Sequence, residues 1–244
     1  MLREARCVVI VPARNEEARI GRVLDTMPVF VDHVVVVDDA SRDATRELVI
    51  ARQASASTTR ISLLAHAHAS GVGGAIVDGY REALRESGDA RDAFCVMAGD
   101  GQMSPDDLEA VATPVVTGVA DYVKGNRFAA PDIRRVMPAA RYWGGRVFSR
   151  ATSLAVGARI HDSQCGFTAL SRGACEQLDL DVLWRGYGYP NDLIAQVVSR
   201  DLRLQETPVR PIYAGENSGL RPYHAVIVAA LILRAYGRRR ARHR

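Results

Sequence analysis

Two adjacent carboxylates, Asp38 and Asp39, close a run of four valines, Val34 to Val37, and a third acid, Asp100, follows the apolar run Phe94 to Met97 with Gln102 just beyond it. Acids at the open end of a buried strand can accept hydrogen bonds from a nucleobase N–H or a ribose hydroxyl. A carboxylate beside an amide oxygen suits a hard cation that shares its shell with phosphate oxygens. Asp100 and Gln102 are therefore the candidate metal site, for Mg²⁺ or Mn²⁺, where the cation would neutralise a leaving diphosphate. A further stretch, Val11-Pro12-Ala13-Arg14-Asn15-Glu16, reads as a strand halted by its proline and giving way to a helix near Glu16. The segment from Ala65 to Ala75 carries His66, His68, Gly71, Gly73 and Gly74 into a helix. Its glycines would let backbone approach phosphate. The two histidines could ligate metal, but alternate histidines in a loop favour the solvated reading.

The elements that must position these groups are legible as an alternation. Cys7 to Val11, His33 to Val37, Ile61 to Leu64 and Phe94 to Met97 have the short apolar pattern of strands, and helical patterns start near Glu16, Asp43, Val72 and Pro105. Ser104-Pro105-Asp106-Asp107 predicts a helix start with Ser104 as its cap. A β-α-β-α series implies an α/β fold with a mainly parallel, doubly wound, Rossmann-like sheet, whose ligands bind at the carboxyl ends of the strands. Asp121 to Gly125 reads as another strand. Beyond it the pattern changes to an arginine-rich stretch, Arg127 to Arg150, that predicts a long helix. Pro- and Gly-rich segments, Gly186 to Pro190 and Pro208 to Gly219, predict loops folding over the strand ends. No repeat or linker divides the chain, so the expected organisation is one domain over residues 1–220 with an apolar helix and basic tail over 221–244.

Composition narrows the class. With 244 residues and 48% hydrophobic content the chain can bury a full core. Cys7, Cys95, Cys165 and Cys175 show no metal-binding or redox spacing, which points to a reducing compartment. The net charge of +4 comes from arginine, Lys124 being the only lysine, and it is spread along the chain instead of forming a nucleic-acid-binding run. Small phosphorylated ligands fit; nucleic acid does not. No signal peptide opens the chain, and the apolar run Ala225 to Leu233 is too short to cross a bilayer. The expected location is cytoplasmic. Followed by Arg238-Arg239-Arg240 and further basic residues, that run could rest on the inner face of an anionic membrane, or it could pack on the domain.

Five motifs in order carry a resemblance: Val-Pro-Ala-Arg-Asn-Glu at residues 11–16, Val-Asp-Asp-Ala-Ser-Arg-Asp-Ala-Thr at 37–45, Gly-Asp-Gly-Gln-Met-Ser-Pro-Asp-Asp at 99–107, Lys-Gly-Asn-Arg-Phe at 124–128, and Asp-Ser-Gln-Cys-Gly-Phe-Thr-Ala-Leu at 162–170. Together they resemble the family 2 glycosyltransferases of GT-A fold, in particular the polyprenyl-phosphate sugar synthases related to dolichyl-phosphate mannose synthase. The resemblance spans roughly residues 6–219.

It implies a donor site for a UDP- or GDP-sugar built from Pro12, Ala13, Arg14, Asn15, Glu16, Asp38, Asp39, Gly71, Gly99 and Asp100, with the divalent cation on Asp100 and Gln102. It implies that Arg127 and Arg141 receive an acceptor phosphate, that Asp162 and Gln164 lie in the loop under the sugar, and that Asp192, after Asn191, faces the acceptor side. One position departs from the family pattern: the usual Asp-x-Asp is here Ala98-Gly99-Asp100, so the first acid is missing. The implied reaction is metal-dependent, inverting transfer of a sugar to an acceptor, with polyprenyl phosphate favoured. A soluble hydroxyl acceptor, with Asp162 or Asp192 as base, is the alternative. A non-catalytic nucleotide-sugar-binding protein is the reading from another class. A dinucleotide dehydrogenase is disfavoured because no Gly-x-Gly-x-x-Gly follows the first strand.

Overall fold

The computed structural model describes residues 1–55, 59–86, 88–213 and 222–242. The chain runs β1 (Cys7–Ala13), α1 (Ile20–Asp25), β2 (His33–Asp38), α2 (Thr45–Ser55), β3 (Arg60–Ala65), α3 (Val72–Arg85), β4 (Ala93–Val96), α4 (Leu108–Val116), β5 (Tyr122–Asn126), α5 (Ile133–Val136), α6 (Ala139–Val156), β6 (Thr168–Ser171), α7 (Arg172–Gln177), α8 (Tyr189–Ser199), β7 (Leu204–Pro208) and α9 (Pro222–Arg242). Among the described residues seven strands form one sheet in the order β3-β2-β1-β4-β6-β5-β7. The pairs β3–β2, β2–β1, β1–β4 and β5–β7 are parallel, whereas β6 runs antiparallel to both β4 and β5.

Unbroken apolar runs suit strands covered on both faces. Alternate residues of β1 divide between two cores: Cys7, Val9 and Val11 join Val23, Val111 and Val115 on one side, and Val8 and Ile10 join Ile76, Tyr80 and Leu193 on the other. The expected parallel, doubly wound half is present from β1 to β4. The short antiparallel β6 and the edge strand β7 were not read as strands from the sequence: Thr168–Ser171 is only four residues long, and Leu204–Pro208 is half-exposed and includes Glu206.

Two local expectations are corrected. Pro12 does not halt β1; it pairs with Val37 inside the strand, and Ala13 pairs with Asp38. The chain then needs a turn, with Asn15 at φ 55°, before α1 begins at Ile20. Ser104 makes no side-chain cap. Its carbonyl accepts from the Asp107 amide at 3.1 Å, closing a 3₁₀ turn, Pro105–Asp107, before α4.

The arginine-rich helix is α6, 18 residues long, ended by Gly157 at φ 78°. The C-terminal apolar run lies inside α9, which packs against α6 and α8. No helix among the described residues is long and apolar enough to cross a membrane. Of the expected loops, Gly186 to Pro190 is corrected at its end, since Tyr189 and Pro190 open α8, and Pro208 still belongs to β7; residues 209–213 return to the strand ends, while 214–219 lie outside the described residues.

Candidate active site

The parallel register brings the ends of β1 and β2 level, so Ala13 and Asp38 are neighbours and Asp39 follows at the same edge. Asp38 is buried. Its Oδ2 accepts from Arg46 Nη2 at 2.9 Å and Nε at 3.2 Å, and its Oδ1 from the Ser41 amide at 3.2 Å. The turn after β1 is stitched to this edge: the Asn15 amide donates to Ser41 Oγ at 2.9 Å, the Arg42 amide to Asn15 Oδ1 at 2.8 Å, and the Glu16 amide to Thr45 Oγ1 at 2.7 Å. An open cleft here is lined by Arg14, Ser41, Arg42, Arg46, His66 and His68.

Asp39 turns the other way. It accepts from His66 Nδ1 at 2.9 Å, the Ser70 amide at 2.6 Å, Ser70 Oγ at 3.1 Å and the Gly71 amide at 2.9 Å. Burial opposes its charge, but these donors hold its carboxyl below the usual range. His66 is not a solvated loop residue: its Nε2 lies 3.4 Å from Asp78, so the ring is bracketed by two carboxylates. His68 is exposed. The glycines also serve a different neighbour from the one expected. At Gly71, with φ 85°, an added Cβ would lie 2.7 Å from the Arg185 carbonyl oxygen, and at Gly73 it would lie 2.2 Å from that of Trp184. Polypeptide, not phosphate, fills the space they leave.

Asp100 sits on a turn laid over the end of β1. The Gly99 amide donates to the Pro12 carbonyl at 3.0 Å, and a Cβ at Gly99 would come within 3.1 Å of Ala13 Cβ. The Asp100 Oδ1 accepts from the Gln102 amide at 3.0 Å. Glu16 faces the same turn. Burial raises its carboxyl above the usual range and the charge of Asp100 adds to this, while the hydrogen bond from Arg19 works against it. Two carboxyl groups that repel, beside an amide side chain, fit a hard divalent cation. Among the described residues no cluster of three or more His, Cys, Asp or Glu is assembled as a cage, so a cation here would complete its shell from a bound ligand.

On the opposite wall the buried Asp162 is paired two-pronged with the largely covered Arg127, Nε to Oδ2 at 2.7 Å and Nη2 to Oδ1 at 2.9 Å, with the Arg127 amide adding a third bond at 3.0 Å. Burial opposes the charge on Asp162, yet the guanidinium holds its carboxyl below the usual range; Arg127 is correspondingly held in its charged form. Beneath them the wholly buried Lys124 donates to the Cys165 carbonyl, and burial pushes its pKa down. Gln164 Nε2 donates to Ser163 Oγ at 2.8 Å and to Asn191 Oδ1 at 3.2 Å. Arg141, on α6, lies over the Tyr213 ring at 5.0 Å and makes no ion pair among the described residues.

Asp100, Gln102, Arg127, Arg141 and Gln164 thus line one cleft. Asp192 does not join them. It is buried in α8, accepts from the Trp184 amide at 3.0 Å and Arg238 Nη1 at 2.8 Å, and has Arg234 at 3.5 Å, so it anchors α9.

Sequence reading missed Arg46, Tyr187, Arg210 and Tyr213. The last two arrive on the segment after β7, which closes over the Asp100 turn through the Ile212 amide to the Gln102 carbonyl at 2.9 Å and the Arg210 amide to Asp107 Oδ2 at 2.6 Å. The only hint was the Pro208 and Pro211 punctuation of that loop.

Comparison with known proteins agrees with this geometry. The family model for Glycosyl transferase family 2 matches residues 8–179. The chain is 27% identical over 216 residues to the UDP-N-acetylglucosamine–dolichyl-phosphate N-acetylglucosaminyltransferase of Methanococcus voltae, covering 84% of this chain and 85% of that one. It is 31% identical over 206 residues to an uncharacterized protein of Methanocaldococcus jannaschii, covering 84% and 81%. It is 29% identical to glycosyltransferase AglD of Haloferax volcanii, covering 82% of this chain and 32% of AglD. In fold it matches glucosyl-3-phosphoglycerate synthase from Mycobacterium tuberculosis in complex with Mn²⁺, UDP and glucosyl-3-phosphoglycerate, with TM-score 0.66 and 21% identity over 96% of this chain and 81% of that one. A doubly wound sheet whose acidic strand ends converge on one cleft, and a family match over most of its length, make this chain a glycosyltransferase of family 2 with the GT-A fold.

Proposed function

We propose that the protein transfers a sugar, with inversion, from a nucleoside-diphosphate sugar to a polyprenyl phosphate at a membrane surface. The observation that carries the acceptor is Arg141, a cation without a carboxylate partner among the described residues, set in the same cleft as Asp100. The likeness to the Methanococcus voltae enzyme, whose name specifies a UDP-sugar and dolichyl phosphate, supports the same donor and acceptor classes.

In this reading the nucleoside lies along the ends of β1 and β2, between Pro12, Ala13 and the Asp38 edge, and the diphosphate reaches Asp100. Asp100 and Gln102, with Glu16 close by, would hold the divalent cation, which when bound supplies charge neutralisation at the leaving diphosphate. An acceptor phosphate oxygen, anionic near neutral pH, attacks the anomeric carbon. The new C–O bond forms as the bond to the diphosphate breaks, and the electron pair leaves with the nucleoside diphosphate. Such an acceptor needs no strong general base. Asp162, its lone pairs directed at Arg127, serves as an anchor that orients the guanidinium toward the sugar and the incoming phosphate. The missing acid at Ala98 leaves Asp100 as the acidic ligand of that turn.

The test is a nucleoside-diphosphate release screen with UDP- and GDP-sugars, Mn²⁺ or Mg²⁺, and a short polyprenyl phosphate present or absent. Release stimulated by the lipid supports the proposal and names the donor. Release that ignores the lipid but responds to hydroxyl acceptors would replace it with transfer to a soluble acceptor. Donor binding without release would leave a nucleotide-sugar-binding protein.

A further inference from the structure

The loop that carries Asp162 and Gln164 lies outside the helices and strands, and side chains from elsewhere hold its backbone. From Ile160 to Gln164 consecutive amide N–H groups are each taken by a side chain: Ile160 by Ser153 Oγ at 3.0 Å, His161 and Asp162 by the Glu206 carboxylate at 2.9 Å, Ser163 by Ser149 Oγ at 2.9 Å, and Gln164 by Asp162 Oδ1 at 3.3 Å. Covered amides need partners, and in a helix or strand the backbone supplies them. In this loop the partners are set by how other elements pack.

Two of those elements are neighbouring strands. Glu206 on β7 is the register partner of Lys124 on β5, which turns both side chains to one face of the sheet. Lys124 Nζ donates to the Cys165 carbonyl, so the pair grips the loop near its two ends. Glu206 also accepts from His161 Nδ1. Its side chain is 8% exposed although β7 is the edge of the sheet, whereas the His161 ring is 48% exposed. Glu206 does not line the cleft of Asp100 and Arg127, so it reaches the reaction only through the loop. The Asp162 amide hangs from Glu206, and the Asp162 carboxylate holds Arg127 by Nε, Nη2 and the backbone amide. A displacement of Asp162 therefore moves the guanidinium that lines the cleft with Asp100.

We propose that Glu206 is a positioning residue for sugar transfer: by holding the His161 and Asp162 amides it fixes Asp162, and through Asp162 it aims the Arg127 guanidinium at the acceptor. The assignment rests on the acceptor-side reading of Arg127 above and adds the residue that sets its place. The role belongs to hydrogen-bond geometry and not to negative charge, although the same carboxylate also supports the charged form of Lys124 against burial.

Two substitutions separate geometry from charge. Glu206→Gln removes the charge but keeps the side-chain length and an oxygen where Oε1 now accepts from both amides. Glu206→Asp keeps the charge and draws the carboxylate back by one methylene. The full chain and both variants are compared for farnesyl-phosphate-stimulated release of nucleoside diphosphate and for affinity, by calorimetry, toward UDP or GDP with Mn²⁺, whichever the native protein binds more tightly. Hydrogen exchange of the Arg127 Nε–H is followed by NMR and assigned through Arg127→Lys. Because a shift of about 1 Å in a positioned group can cost about a hundredfold in rate, Glu206→Asp should lower kcat about tenfold or more and speed the Arg127 exchange comparably, with nucleotide affinity within about twofold of native; Glu206→Gln should stay within about threefold in all three. Native behaviour in Glu206→Asp would overturn the assignment by showing that position is not set there. A Glu206→Gln protein as impaired as Glu206→Asp would overturn it in favour of charge, and nucleotide affinity falling in step with turnover in Glu206→Asp would overturn it in favour of general loss of structure. Native release that ignores farnesyl phosphate, with the Arg127 exchange still following the expected pattern, would remove the polyprenyl-phosphate reading and uphold the positioning of Arg127 by Glu206.

Discussion

The two walls of the site are built differently. On the donor wall, Asp38 finds its partners three and eight residues along the chain, in the turn and helix that follow its own strand. On the acceptor wall, Asp162 is matched by Arg127 at a separation of 35 residues; outside the cleft, Asp192 is matched by Arg238 at a separation of 46. Both acids are inaccessible, but the arginine of the donor pair is 41% exposed, whereas Arg127 is 12% exposed. Asp38 is held by the local βα turn, although Asp39 and the turn after β1 reach partners 26 to 32 residues away; the Arg127–Asp162 pair exists only once segments 35 residues apart have docked.

That contrast can be broken most forcefully at the turn the walls share. Asp100→Ala should reduce turnover a hundredfold or more, by removing charge placed at the leaving group, and nucleoside-diphosphate release measures it. The next largest effect should fall on stability. Arg127→Met leaves Asp162 buried without its counter-charge and should cost about 3–5 kcal/mol in urea unfolding. Arg46→Met removes a half-exposed partner of Asp38 and should cost about 1 kcal/mol, solvent replacing much of the interaction. Equal costs for the two would erase the distinction between the walls.

A milder test uses pH. The Asp162 carboxyl is depressed in the folded protein, so its contribution to stability is complete above the unfolded value of about 3.9 and is lost as pH falls through the lower folded value. Native protein should lose urea resistance below pH 4 more steeply than Asp162→Asn. Parallel curves would show that the acceptor-wall pair does not contribute to acid lability.

Legibility in the sequence follows the same division. The valine run ending in Asp38, the Asp100 turn and the Pro12 to Glu16 stretch were readable because a buried parallel strand and the turn after it are contiguous. Pro12 was misread as a stop since its missing N–H matters only if that side of the strand needs a donor, which register decides. The Gly71 to Gly74 run suggested phosphate because glycine records close approach without recording what approaches; Trp184 and Arg185 do. Arg210 and Tyr213 were invisible because nothing local says that residues 209–213 cross back over Gln102. Asp192 was placed at the site by its motif, and only the packing of α9 reveals that Arg234 and Arg238 take up its carboxylate.

That last contact changes what the C-terminal helix is for. With a nearly inaccessible acid seated under two of its arginines, α9 behaves as a keystone: shortening the chain before Arg234 would strand a charge in the interior and uncover the faces of α6 and α8 on which α9 packs. Any comparison of full-length and shortened protein that aims to weigh membrane attachment must keep the chain through Arg238, or it will report collapse of the acceptor wall instead of loss of an anchor.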